Sequence, residues 1–187
     1  MTLSLPLVWL GYAVSRELSN PGVVLGADPG EAVLHFFGDW TVRLLLLTLS
    51  VSTMRRLFRQ PAIGRYRRMI GLFAFAYAVL HMLSYLGFLA EFEWRIVLED
   101  FVDRTYITVG ISALLLLLPL ALTSTRGWQR RLGRRWRRLH KLVYPAMGLG
   151  LLHLLWLTKD GYAEPLLYCA IFAGLMVERL VDWRRRT

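Results

Sequence analysis

A chain of 187 residues that is 56% hydrophobic and only 19% charged is too apolar for an ordinary soluble domain. At roughly 20 apolar residues per span, six membrane spans and their loops consume nearly all of it, which leaves no room for a separate soluble domain. A net charge of +10 would suggest nucleic acid in a soluble protein, but in a membrane protein arginines mark cytoplasmic loops, so no nucleic-acid partner is expected.

In chain order, Leu3 to Val14 is a short first span. Ala13-Val14-Ser15 also resembles a signal-peptide cleavage site, yet no Lys or Arg precedes the apolar run. A Gly- and Pro-containing loop covers 15–34, and a second span runs from about Phe36 to Met54. The stretch from Arg55 to Arg68 then carries six arginines and no acid. A third span, about Met69 to Ala90, contains His81; an acidic loop over 91–104 follows, with 96–102 predicted as a short interfacial helix. The fourth span is about Thr105 to Leu122, and residues 123–141 carry eight basic residues and again no acid. One helix from Leu139 to Leu157 forms the fifth span and bears both His140 and His153. After a polar turn over 158–164, the sixth span, about Pro165 to Leu180, holds the single cysteine, Cys169, and the chain closes on Arg184-Arg185-Arg186. One cysteine supports neither a disulfide framework nor a covalent haem attachment nor a thiolate cluster, so any haem is non-covalent and b-type.

Positive charge follows spans two, four and six, whereas ten of the thirteen acids follow spans one, three and five. The positive-inside rule then assigns both termini to the cytoplasm of an all-α, six-span bundle forming a single domain over 1–187. The arginine-rich loops fit contact with anionic membrane lipid. At about 1.5 Å per residue, His81 lies roughly 18 Å from the inner end of its span and His153 roughly 20 Å from His140. His81 and His153 are therefore level in the outer half, His140 sits at the inner edge and His35 at the outer edge.

Ionisable groups at membrane depth are costly and mark function. Two neutral imidazoles at one height on different helices are what a six-coordinate haem requires. On a regular helix the 13-residue step from His140 to His153 rotates about 220°, so the two address different neighbours unless Pro145, Gly148 and Gly150 distort the helix. A proton-relaying transporter, which would carry no chromophore, is the competing reading from another class.

Several separate motifs in order carry a resemblance. They include Gly26-Ala27-Asp28-Pro29 with His35 and Gly38, Arg65-Tyr66-Arg67-Arg68, Leu80-His81-Met82-Leu83-Ser84-Tyr85 and Arg104-Thr105-Tyr106-Ile107-Thr108-Val109-Gly110. Gln129 to Trp136, Leu139-His140, and His153 with Trp156 complete them. On these the chain resembles the MsrQ (YedZ) family within the ferric reductase-like transmembrane superfamily, to which NADPH oxidases belong. The resemblance implies haem ligands at His81, His140 and His153. It also implies a bacterial inner-membrane subunit that passes electrons from the quinone pool to a periplasmic molybdopterin enzyme (MsrP), which reduces oxidised protein methionines. FMN and a cytoplasmic flavin reductase are further implications, although no flavin site is legible. Where NADPH oxidase relatives carry a second histidine on span three, this chain has Arg67 and Arg68. One haem on His81 and His153 is expected, and a second at His140 stays open. A ferric or oxygen reductase is the alternative within the same superfamily.

His35, Asp39 and Arg43 recur at i, i+4 and i+8 on one helix face, as a grip for a haem propionate or a quinone headgroup, or as an internal Asp–Arg pair capped by the histidine. Arg104 and the run at Arg134 and Arg135 are further candidates to neutralise propionates.

Overall fold

The computed structural model describes residues 2–158 and 161–185. The turn predicted over 158–164 is therefore described only at its ends, and Arg186 of the basic tail lies outside the described residues. Every regular element is helical, and no strand occurs among the described residues.

Helix α1 spans Leu5–Ser19 and α2 spans Pro29–Leu57. The second starts earlier than hydrophobicity alone suggests because its first turn is polar. Asp28 accepts the Glu31 N–H at 2.9 Å, and Pro29 opens the helix where a missing N–H costs nothing. Helix α3, Tyr66–Ser84, runs on into a π-helical turn, Tyr85–Leu89. Glu91 and Phe92 then take left-handed backbone angles, φ 48° and 59°, which end the rod. Helix α4, Trp94–Asp103, contains the short interfacial helix expected at 96–102, and α5, Thr105–Leu122, has the expected bounds.

The arginine-rich connection after α5 is itself folded into α6, Arg126–Leu132, and α7, Arg134–Leu139, which meet at Gly133 with φ +49°. A 3₁₀ turn, His140–Leu142, separates α7 from α8, Val143–Leu157, and α9 covers Ala163–Arg184. The single fifth helix expected over 139–157 is thus interrupted beside His140. The break falls upstream of Pro145, Gly148 and Gly150, and it leaves the two histidines on different elements.

Two helix pairs organise the bundle: α2 packs on α3, α5 packs on α8, and α3 also meets α5. Helix α2 is the most enclosed, with Leu44, Leu45, Leu49 and Val51 buried, and α9 covers part of it. Small side chains such as Ala74 and Ala146, both fully buried, let the helices approach closely, as membrane helices do. Outward-facing Leu47, Leu115, Leu118, Leu152 and Leu166 are exposed, which suits lipid rather than water. By length and composition Pro29–Leu57, Ala62–Leu89 and Thr105–Leu122 are long and apolar enough to cross a membrane. At 15 residues α8 rises only about 22 Å.

Candidate functional site

His81, near the end of α3, and His153, in the second half of α8, come from the two different helix pairs. Their ring centroids lie 6.0 Å apart, with planes 80° apart. Each ring is tied to the other helix of its own pair. His81 Nδ1–H donates to the Leu34 carbonyl on α2 at 2.9 Å, and His153 Nδ1–H donates to the Tyr106 carbonyl on α5 at 2.7 Å. A carbonyl can only accept, so the proton sits on Nδ1 and the lone pair on Nε2. That tautomer is the one a metal-binding imidazole needs, and the second hydrogen bond increases its basicity.

The two rings line one cavity of about 740 Å³, within the range of cofactor sites. Its deep walls are apolar, including Leu45, Ala78, Leu114 and Met147, whereas its rim includes His35, Asp39, Arg104 and Glu164. Haem meets a straightforward fit test here. Two metal–imidazole bonds of about 2 Å each, added to two ring radii, span roughly 6 Å between centroids, the spacing seen. The remaining surroundings are suited to a flat hydrophobic macrocycle.

At the rim, Arg104 bonds Asp100 at 3.0 Å, and Asp100 also accepts the Tyr85 hydroxyl at 2.9 Å. Tyr106 first, then Asp100, hold the Arg104 guanidinium above its usual range, so it is firmly cationic. His35 pairs with Glu31 at 3.5 Å, one turn earlier on the same helix. Arg43 does not line the cavity. It bonds Tyr168 and Glu164 of α9, both at 2.7 Å, while Asp39 lies further off at 3.9 Å. Hydrogen bonds from Tyr168 and Arg43 keep the Glu164 carboxyl below the usual carboxylate range. His140 is absent from the cavity wall; its ring stacks on Trp136 at 3.9 Å and its Nδ1 donates to the Trp136 carbonyl at 3.2 Å. Arg134 and Arg135, at the start of α7, are also away from the cavity.

The ferric reductase like transmembrane component family matches residues 37–151, which takes in His81 and most of both helix pairs and ends two residues before His153. The heme-binding subunit MsrQ of the protein-methionine-sulfoxide reductase from Rhodospirillum rubrum is 48% identical over 183 residues, 97% of this chain and 85% of its own. The protein of the same name from Xanthomonas campestris pv. campestris is 45% identical over 180 residues, 96% of this chain and 82% of its own. The chain belongs to the MsrQ family. No solved structure matches it.

For this MsrQ-family chain, sequence reading found the imidazoles but missed what holds them. Leu34 and Tyr106 act through backbone carbonyls, which any residue possesses, so their identity carries no signal. Gly38 and Gly110, against which the rings lie, did leave one: from 38 to 81 and from 110 to 153, each glycine precedes its histidine by 43 positions. Glu164 and Tyr168 were missed as partners of Arg43 because they lie more than a hundred positions away.

Proposed function

We propose that this chain carries one b-type haem between His81 and His153 and serves as the membrane electron conduit of a protein-methionine-sulfoxide reductase system. The observation that carries this reading is the facing pair of rings at 6.0 Å on separate helices, each with Nδ1 engaged and Nε2 left for a metal. The names of the relatives, heme-binding subunits of such reductases, support it.

Bound haem would supply reversible one-electron carriage. The protein supplies the rest. Leu34 and Tyr106 carbonyls fix the ligand tautomer, and the apolar walls exclude water. Arg104 and His35 at the rim are the groups suited to propionate carboxylates, with Asp100 and Tyr85 steadying Arg104. Arg43 ties α2 to α9 and is assigned no direct contact. His140 has no imidazole partner within reach, since His81 and His153 engage each other and His35 belongs to the outer rim; a second haem there would need another kind of ligand.

We further infer six spans in the bacterial inner membrane with both termini cytoplasmic, supported by the alternation of basic and acidic connections. Electrons drawn from the quinone pool would leave on the periplasmic side to a molybdopterin reductase (MsrP). The resemblance and the outer-half position of the cavity support that direction. No residue is assigned to FMN or to a flavin-reductase contact.

A reduced-minus-oxidised spectrum of detergent-purified protein, with haem quantified per chain, tests the reading. One b-type haem per chain is expected. Colourless protein after expression with ample haem supply overturns it and favours a proton relay. Electron delivery to the molybdenum partner, compared with oxygen or ferric-iron reduction, separates the conduit from a terminal reductase.

A further inference from the structure

The two halves of the site repeat each other. Leu34 lies four positions before Gly38 on α2, and Tyr106 four before Gly110 on α5. In both cases the histidine follows its carbonyl acceptor by 47 positions. A Cβ built at Gly38 would lie 3.1 Å from His81 Cε1 and 3.2 Å from its Nδ1; one at Gly110 would lie 3.0 Å from both atoms of His153. At such distances the imidazole must give way by a few tenths of an ångström.

Helix geometry explains the glycines. The carbonyl of residue i points along the axis to the N–H of residue i+4, and it keeps a second lone pair. A side chain at i+4 leans back toward the helix N-terminus and covers that outward lone pair. Glycine at i+4 leaves it open to a donor from another helix. One residue choice thus serves two ends, giving access to the carbonyl and space for the ring that uses it.

We propose that Gly38 and Gly110 are positioning residues that build two matched ligand nests, each holding an imidazole by its Nδ1–H on the carbonyl one helical turn earlier, with the two ring planes locked nearly perpendicular. This rests on haem binding between the same histidines. A hydrogen bond made by a ring N–H is best when it runs along the ring plane, so a carbonyl fixed in a helix sets the rotation of the ring as well as its tautomer. The 80° between planes is then a built property of the two nests. Perpendicular axial imidazoles give low-spin ferric haem a strongly anisotropic magnetic signature, whereas parallel ones give a rhombic signal. The arrangement can therefore be read without any activity assay.

The test compares wild type, Gly38→Ala, Gly110→Ala and Gly148→Ala, the last at a helical position where an added Cβ meets nothing within 4 Å. Haem per chain, midpoint potential and low-temperature electron paramagnetic resonance are measured on the purified full chain, with far-ultraviolet helicity as the folding check. Wild type and Gly148→Ala are expected to give the same strongly anisotropic signal. Each nest variant is expected to bind haem about 10- to 100-fold more weakly, to shift the potential upward as its imidazole becomes a poorer donor to ferric iron, and to change the signal. A rhombic wild-type signal overturns the proposal even if the nest variants fail to fold. Nest variants that match Gly148→Ala in all three readouts also overturn it, and leave haem ligation standing. A wild-type protein without haem overturns instead the reading on which the proposal rests.

Discussion

His81 and His153, which face each other, and His140, which lies apart from them, are held in different ways. His81 and His153 bond carbonyls on neighbouring helices, 47 positions away in each case, so each ring is fixed by packing between elements. His140 bonds the carbonyl of Trp136, four positions earlier, stacks on that residue's own ring and also reaches the Leu120 carbonyl of α5. The first kind of contact exists only in the assembled bundle, and it leaves a metal-binding nitrogen in a cavity. The second is centred on the residue's own helix, at a helix break, and brings His140 to no cavity wall. A second imidazole facing the ring across a cavity is therefore more informative about function than the ring's height along its helix.

The largest expected effect breaks or upholds that contrast directly. His81→Ala or His153→Ala should lower bound haem about 10-fold or more, since a first ligand counts for at least as much as its supports. His140→Ala should keep the haem of the cavity, and His35→Ala, which removes a rim group and no ligand, should lose far less than either ligand variant. Haem quantified per chain in the four variants checks this, and equal retention in all of them would refute the pairing.

A smaller effect extends the comparison to ion pairs. Arg56 on α2 bonds Glu178 and, at 3.7 Å, Asp182 of α9, while Arg43 bonds Glu164 and Tyr168 of the same helix. Arg95 and Glu99 are instead an exposed pair within α4 at 3.8 Å. Arg56→Met and Arg43→Met should each lower stability by about 1 kcal/mol, and Arg95→Met by a few tenths. Thermal unfolding in detergent measures all three, and an Arg95 effect as large as the others would remove the distinction between contacts across helices and along one.

The smallest effect is local and depends on pH. Glu17, in the last turn of α1, accepts backbone N–H groups of Leu25, Gly22 and Val24, and these hold its carboxyl below the usual value. A carboxyl lowered in the folded state stabilises fully above the ordinary carboxylate value of about 4.3, and that contribution fades as pH falls through the lowered value. Cleavage of the 20–25 loop by an acid protease should therefore increase as pH drops in wild type. In Glu17→Gln it should be high and nearly flat with pH.

How much of this was legible depended on the kind of contact. Helix α5 was read with its own bounds because Arg104 and Thr123 bracket an unbroken apolar run. The start of α2 is less legible: Asp28 and Pro29 are proper start signals, yet the turn they open is polar, so hydrophobicity alone places the start too late. Residues 123–141 look like a basic loop because α6 and α7 have no buried residue, so no apolar stripe announces them. At the site, the 1.5 Å rise was enough to put His81 and His153 level. The carbonyls and glycines that hold them belong to neighbouring helices, and periodicity along one segment says nothing about which helix lies beside it.

The π-helical turn at Tyr85–Leu89 begins four residues after His81 and carries one residue more per turn than the helix before it. That surplus re-aims everything downstream by about 100° relative to an uninterrupted helix. Tyr85, at the first position of that turn, bonds Asp100 of α4, while His81 one turn earlier keeps its bond to Leu34 of α2. The part of this segment that packs on α2 and the part that leads to α4 are geared separately, so the connection after it can change length without turning the His81 ring.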